Sequence, residues 1–423
     1  MPGHQADRGA SGLVSVEEAR RRVLASCRRL EPREFPAARA LGLVLASPVR
    51  SAGDIPPFAN SAMDGYALRS ADVAGVPSKL HEVGVVVAGD PPGTVVVGEG
   101  EAARIMTGAP LPAGADAVCM VEHTRSEDGW VMIEEAVARG THVRPQGDDI
   151  RAGDEVFVAG TCLGAPHVAV LAAVGATKVL AYPRPRVGVL STGDELVSAP
   201  GPLPPGKVRD SNRPGLLAQL RSDGFEAADL GTVADDARAL SRALTEAAEV
   251  FDAVLTSGGV SMGDRDLVKV VLEQLGGEQA CWLQVAVKPA KPLAFSTVGP
   301  RGVPVFGLPG NPVSALVSYE LFARPALRYM AGHTRLGRPV LRAVCDEALR
   351  RQKDGKLHLV RVRVFYGEGR DLRARRSGGQ GSHQLRSLAQ ADALALVPDG
   401  EGLDVGDQVE IWVLDLGALA AAG

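Results

Sequence analysis

The chain reads as a multidomain protein of the α/β and β classes, with a central doubly wound α/β domain flanked by β-rich segments. Three observations predict this. Between Arg186 and Met330 short apolar strands alternate with helical patterns. The stretches from about Ile55 to Arg139 and after Gly332 break instead into short apolar runs punctuated by Gly and Pro. At 423 residues there is material for roughly three domains and more than one core.

Taken in order, Ser15 with Glu18 three residues later forms a capping-box pattern. Val16, Ala19, Val23, Leu24, Cys27 and Leu30 then recur at helical spacing, which predicts an opening helix. Val83–Ala88, Thr94–Val97, Ala117–Val121 and Val131–Ile133 predict a small β domain over 55–139. A β segment over Gly153–Val158 and a helix over Pro166–Val174 follow. In the α/β region the expected strands are Val187–Leu190, Ala227–Val233, Ala253–Thr256 and Val303–Phe306. The expected helices are Asn212–Arg221 with Pro214 in its first turn, Ala237–Val250, Asp266–Leu275, and a long one from Asn311-Pro312 toward Met330. That succession predicts a parallel sheet. Val360, Val362 and Val364 alternate with Arg361 and Arg363, and Val409, Ile411 and Val413 alternate near the end. A small C-terminal barrel or sheet over 333–418 fits this pattern, with boundaries at Pro183, Pro185 and Gly332–Pro339.

A formal net charge of -4 argues against nucleic-acid binding, which leans on broad positive surfaces. An anionic ligand would need a local cluster of cations. The cysteines (Cys27, Cys119, Cys162, Cys281, Cys345) are scattered, without C-x-x-C or zinc-like spacing, so reduced thiols and a cytoplasmic location are expected. Met1 to Gly12 lacks the apolar core of a signal peptide, and no apolar run approaches the ~20 residues that span a bilayer.

Three strands run into polar or glycine-rich turns: Ser191-Thr192-Gly193-Asp194-Glu195, Ser257-Gly258-Gly259-Val260-Ser261 and Gly307-Leu308-Pro309-Gly310-Asn311-Pro312. Parallel strands would bring these turns to one carboxyl edge, where open α/β sheets bind ligands. Glycine lets backbone N–H groups approach an oxyanion closely, although the same glycines could simply make tight turns. Glu195, Asp264 and Asp266 sit on or just after these turns. Brought together they would share a cation, and Mg²⁺ suits one or two carboxylates with phosphate oxygens. Asp235 could join them, but capping the Ala237–Val250 helix explains it almost as well. Lys288-Pro289-Ala290-Lys291-Pro292 is expected to run extended at ~3.1 Å per residue, its lysines either converging on an anion or facing solvent. No Walker loop, G-x-S-x-G or H-E-x-x-H is present, and the histidines form no close-spaced pair. Carboxylates, lysines and backbone amides suit a metal-assisted reaction of an anion.

Six strings, in order, carry a family resemblance: Asn60–Ala67, Ile105–Ala109, Ser191–Leu196, Ser257–Asp266, Lys288–Pro292 and Gly307–Ser314. From about Leu13 to Leu416 the chain resembles the molybdopterin molybdenumtransferase (MoeA) family, which includes the E domain of gephyrin. The resemblance implies four domains: a discontinuous one over 13–54 plus 140–182, a small β domain over 55–139, a molybdopterin-binding-like α/β domain over 183–332, and a C-terminal β-barrel over 333–418. It implies a homodimer whose active site joins the α/β domain of one subunit to the small β domain of the other. The implied reaction takes adenylylated molybdopterin and molybdate, with Mg²⁺, to molybdenum cofactor and AMP. The adenylyltransferase that prepares the substrate and the molybdoenzyme apoproteins are the implied protein partners.

Matched by motif, Asp64, Thr107, Glu195, Asp235, Asp266, Lys288 and Lys291 correspond to catalytic positions of the family. Asp149, Pro309, Pro312, Arg361 and Ser382 match further pocket positions; with Gly258, Gly259, Ser261, Gly310 and Asn311 of the glycine-bearing turns they are the expected contacts of the pterin substrate, and Glu195, Asp264 and Asp266 are the expected metal ligands. Two departures stand out: Ala290 where the family often has glycine, and Gln284 where many members carry a basic residue. Sequence does not separate molybdate from tungstate. Two other readings are a non-catalytic gephyrin-like scaffold and the molybdopterin adenylyltransferase itself.

Overall fold

A computed structural model describes residues 12–198, 200–259, 267–415 and 417. The chain divides into two compact units, Arg33–Ala181 and the remainder.

The 33–181 unit is built on a six-stranded sheet ordered Ala117–Met120, Gly65–Leu68, Glu101–Ile105, Ser78–Val86, Trp130–Ile133, Thr124–Glu127. The Ala117 and Val131 runs are strands as expected, and the Val83 run belongs to the longer Ser78–Val86. Thr94–Val97 contributes only an isolated bridge, Val96 to Ala113. Gly65–Leu68 and Glu101–Ile105 carry too few apolar residues in alternation to announce themselves, yet both are interior strands of the sheet. Gly65 is required there: a Cβ would lie 1.9 Å from the Cys119 carbonyl oxygen on the neighbouring strand.

In the other unit, the opening helix is Val16–Ala25. Ser15 caps it by accepting from the Glu18 N–H at 3.1 Å, while the Glu18 carboxylate turns to Arg21 and Arg22, so only half of the capping box forms. Val16, Ala19 and Val23 are buried in the same core as Val187, Leu255 and Phe306 of the α/β sheet.

That sheet is mixed, not wholly parallel. Its order is Glu226–Val233, Arg186–Thr192, Ala253–Ser257, Val303–Leu308, Pro292–Val298, Cys281–Gln284. The first four strands are parallel and the last two antiparallel. The two added strands closely flank the Lys-Pro segment, Cys281–Gln284 before it and Pro292–Val298 after it, leaving no length for the helical crossover a parallel strand needs. Val187, Val189, Leu255, Phe306 and Leu308 face one side, packed with Leu216 and Leu220 of the helix Asn212–Ser222. Leu190, Val254 and Val305 face the other, against Ala237–Val250 and Leu267–Gly276. This period-2 division of one sheet between two helical layers is the doubly wound arrangement.

The expected long helix after Asn311 is interrupted. Pro312–Ser318 and Arg324–Met330 are α-helical, and Tyr319–Ala323 between them is a π turn. Pro325 has no N–H to give to the Leu321 carbonyl; Arg20 Nε of the opening helix donates to that oxygen instead, at 3.2 Å.

The C-terminal strands close into a five-stranded barrel, Leu357–Tyr366, Leu372–Arg376, Val340–Cys345, Gln408–Val413 and Ala393–Val397, which returns to the first. Val362, Val364, Ala374, Ala395 and Ile411 fill it. Val287–Lys288 adds a sixth strand, parallel to the first, with Lys288 opposite His358. The lysine segment of the α/β domain is thereby tied directly to the barrel.

Candidate active site

The three glycine-bearing turns do meet. Ser191 is register partner of Ser257, and Ser257 of Leu308, so their strands end level. Gly258 has φ +98°, and a Cβ on it would lie 2.1 Å from the Thr192 carbonyl oxygen, so glycine alone lets the second turn fold onto the first. The Gly258 N–H donates to the Leu308 carbonyl at 3.3 Å. Buried Asn212 stitches the second and third turns, its Nδ2 donating to Ser257 Oγ at 2.8 Å and to the Gly310 carbonyl at 2.7 Å. Asn212 was not among the sequence candidates; its place one residue after Ser211, at a helix start, was the available signal.

Asp235 does not cap its helix. Asp236 does, accepting from the Ala239 N–H at 2.8 Å. The Asp235 carboxylate instead accepts from Thr192 Oγ1 at 2.7 Å and from the Asp194 N–H at 3.4 Å, while Asp194 accepts from the Asp235 N–H at 3.2 Å. This exchange binds the fourth parallel strand's turn to the first. Exposed Glu195 folds back over Gly193, where a Cβ would lie 2.8 Å from its carboxylate. Gly259 lies at the end of the described turn; Ser261, Asp264 and Asp266 fall outside the described residues. Among the described residues no group of three or more His, Cys, Asp or Glu is gathered as a metal site.

Pro309 is buried at the end of its strand, Gly310 and Asn311 are exposed, and Pro312 is the first helical residue. The next N–H, of Val313, donates to the Ser382 carbonyl at 3.1 Å, so a barrel loop occupies one of the donors that would otherwise face a ligand. Ser314, on the following position, lines a cleft of about 910 Å³. One wall of the cleft is Val287–Pro292, and the other comes from 349–360, Arg376 and 380–383 of the barrel. Its cations include Lys288, Lys291, Arg350, Lys353, Lys356 and Arg376, and Asp354 is the sole carboxylate among the described lining residues. The last four of these cations were missed in the sequence; the density of basic residues in Arg350-Arg351-Gln352-Lys353-Asp354-Gly355-Lys356 is the clue that marks three of them, and Arg376 lies outside it.

The lysine segment is not extended as expected. The Lys288–Pro289 peptide is cis, and Ala290 sits at φ +80°. An alanine in this left-handed region is strained, whereas glycine is not. Ala290→Gly is therefore expected to stabilise the protein by about 0.5–1 kcal/mol, after allowance for the greater freedom of glycine in the unfolded chain. An unchanged or lower unfolding midpoint in urea would contradict this.

Arg361 does not line the cleft. It is fully buried, on the face of its strand shared with Leu359 rather than the barrel interior. Its guanidinium donates to Ser387 Oγ at 2.9 Å and to the carbonyls of Gly379 and Gly381 at 2.8 and 3.2 Å. Burial pushes its pKa down to about 10, still far above neutrality. Arg361 thus holds from below the loop that presents Gly381, Ser382 and His383 to the cleft.

The remaining candidates belong to the 33–181 unit. Thr107 donates to Asp64 Oδ1 through both Oγ1, at 2.7 Å, and N–H, at 2.6 Å. The hydroxyl bond and then the backbone bond lower the Asp64 pKa, so it is a fixed anion. Asp149 is exposed, its N–H donating to the Ile55 carbonyl at 3.0 Å.

Comparison with known proteins agrees with this layout. Residues 14–175 match the MoeA N-terminal region (domain I and II), 188–329 the probable molybdopterin binding domain, and 342–414 the MoeA C-terminal region (domain IV). A molybdopterin molybdenumtransferase from Nostoc sp. is 39% identical over 393 residues, 89% of this chain and 87% of that protein. Molybdopterin molybdenumtransferase 2 of Mycobacterium tuberculosis is 36% identical over 411 residues, 95% of this chain and 100% of its own. A crystal structure of a molybdopterin biosynthesis MoeA protein from Pyrococcus horikosii superposes with a TM-score of 0.79 at 32% identity, covering 95% of this chain and 99% of that one. With all three family regions present in order and relatives matched over nearly their whole length, the chain belongs to the MoeA family.

Proposed function

We propose that this chain is a molybdopterin molybdenumtransferase, acting as a cytoplasmic homodimer, that inserts molybdate into adenylylated molybdopterin and releases AMP. Curated relatives of that name support the transferase reading. The observation that carries the finer one is the basic cleft, whose described lining sets Lys288, Lys291 and the barrel's cations against one carboxylate. A dianion and a phosphorylated pterin both require such a surface, and a volume of about 910 Å³ exceeds what a tetrahedral oxyanion alone needs. No helix among the described residues is long and apolar enough to cross a membrane.

Lys288 and Lys291 hold the oxyanion's charge, and the Arg361-supported loop offers Ser382 beside it. The junction of turns carries Glu195 and Asp235 on its exposed edge. Their chemistry fits Mg²⁺, which takes one or two carboxylates with water and phosphate oxygens. When bound, the ion would offset charge on the phosphoanhydride being cleaved. Thr192 orients Asp235 for this task; Asp266, Asp64, Thr107 and Asp149 enter the proposal through family position alone, and Asp264 through its place in the sequence just after the second turn.

The test is single-turnover AMP release by the purified protein from adenylylated molybdopterin, with and without molybdate and Mg²⁺. Release should require both, and Glu195→Gln should slow it by about 10²-fold or more at unchanged unfolding temperature. A folded wild type that releases no AMP would favour the scaffold reading, and ATP consumption with molybdopterin alone would favour the adenylyltransferase.

A further inference from the structure

We infer that Asp354 sets the anion affinity of the basic cleft by competing with the bound anion for the Lys356 ammonium. The inference rests on the cleft being the anion site. Asp354 lies in the turn before the barrel strand Leu357–Tyr366, and Lys356 Nζ reaches its carboxylate at 3.0 Å. His358 Nε2 lies 3.2 Å from both of its oxygens. All three residues line the cleft, and His358 is the strand partner of Lys288. The carboxylate therefore sits where charge from the barrel wall would otherwise add to that of the lysine pair. A cation paired at about 3 Å presents a dipole rather than a charge, and its pull on an incoming dianion falls off faster with distance.

Asp354 stays ionised at any working pH. Burial raises its pKa, but the hydrogen bonds from Lys356 and His358 outweigh that and hold it at about 2. Arg351 also touches Asp354, at 2.6 Å, but it is anchored independently. It binds Asp399 at 2.7 Å and donates to the carbonyls of Lys356, Val397 and Pro398 at 2.6, 3.2 and 2.9 Å. Neutralising Asp354 thus leaves the turn its main fastening, while the Lys356 charge is freed toward the ligand; His358, its pKa lowered by burial, adds only an N–H donor.

The experiment is calorimetric titration of the purified full chain with sodium molybdate alone, at about 50 mM and about 500 mM salt. Asp354→Asn should bind molybdate about 3- to 10-fold more tightly than wild type at low salt, the gain shrinking as salt screens it. Asp354→Glu, which keeps the charge, should bind as wild type does. Unchanged or weaker binding by folded Asp354→Asn overturns the inference; if that variant does not fold, Asp354→Ser is judged by the same criterion. Because the titration needs no turnover, tighter binding without AMP release would sink the proposed reaction and leave this inference standing.

Discussion

Replacing Lys291 by Met is expected to weaken molybdate binding by about 10- to 100-fold, because a hydrogen bond between two charged groups is worth roughly 1.5–3 kcal/mol. Methionine keeps the apolar stem and removes the charge. Lys291 is half-buried, and its fold-holding contact is made by the backbone: its carbonyl accepts from the Val285 N–H at 2.7 Å. Lys288 is exposed, and its main chain keeps its place opposite His358 whatever the side chain. Neither Lys291→Met nor Lys288→Met should therefore change the unfolding free energy by more than about 0.5 kcal/mol. The double variant should lose binding by roughly the product of the single effects if each lysine meets a separate oxygen, and by less if they share one. Titration with molybdate decides the matter: two folded single variants binding like wild type would remove the cleft from the mechanism.

How much of this was legible beforehand depends on the range of the interactions involved. The glycine turns could be read because close backbone approach leaves a local signature, and Gly258 against the Thr192 carbonyl is that signature realised. Asp235 was left open between joining the carboxylates and capping its helix: the cap passed to its neighbour Asp236, and a hydroxyl 43 residues away holds Asp235 at the turns. The Val-Arg alternation of 360–364 announced a strand but not what covers its arginine face. Around Arg361 both faces of that strand are covered, one by the barrel interior and one by the α/β core and the 377–387 loop, so Arg361 is buried while Arg363 on the same face is exposed. For the cleft's barrel wall the basic run 350–356 marks the cations but not that they face the lysine segment. Pairing of Val287–Lys288 with Leu357–His358 joins segments far apart in sequence, and no periodicity encodes such a register.

The linker between the α/β domain and the barrel gives the largest expected loss of stability. The Gly332–Pro339 stretch reads as a loose boundary, yet it is clasped. Arg324 NH1 donates to the Leu336 carbonyl at 3.2 Å and Arg328 Nε to the Arg335 carbonyl at 3.0 Å. Arg338 of the linker itself reaches Glu320 at 2.7 Å and Asp223 at 3.1 Å. Arg324 binds Asp223 at 3.0 Å and lies 3.8 Å from Glu320, and Tyr319 OH donates to Asp223 at 2.8 Å. The Asp223, Glu320 and Arg324 side chains are only 5–7% exposed, so water cannot replace a missing partner. Arg324→Met leaves two buried carboxylates to one guanidinium and should cost about 3–5 kcal/mol. Removing Glu320 as well, by Glu320→Leu with Arg324→Met, restores charge balance around the remaining Asp223–Arg338 pair. The double variant should then be more stable than the sum of the two single losses predicts. Urea unfolding of the four proteins, followed by far-UV circular dichroism, measures this coupling. Strict additivity, or an unshifted midpoint for Arg324→Met, would mean that packing rather than paired charge holds the linker in place.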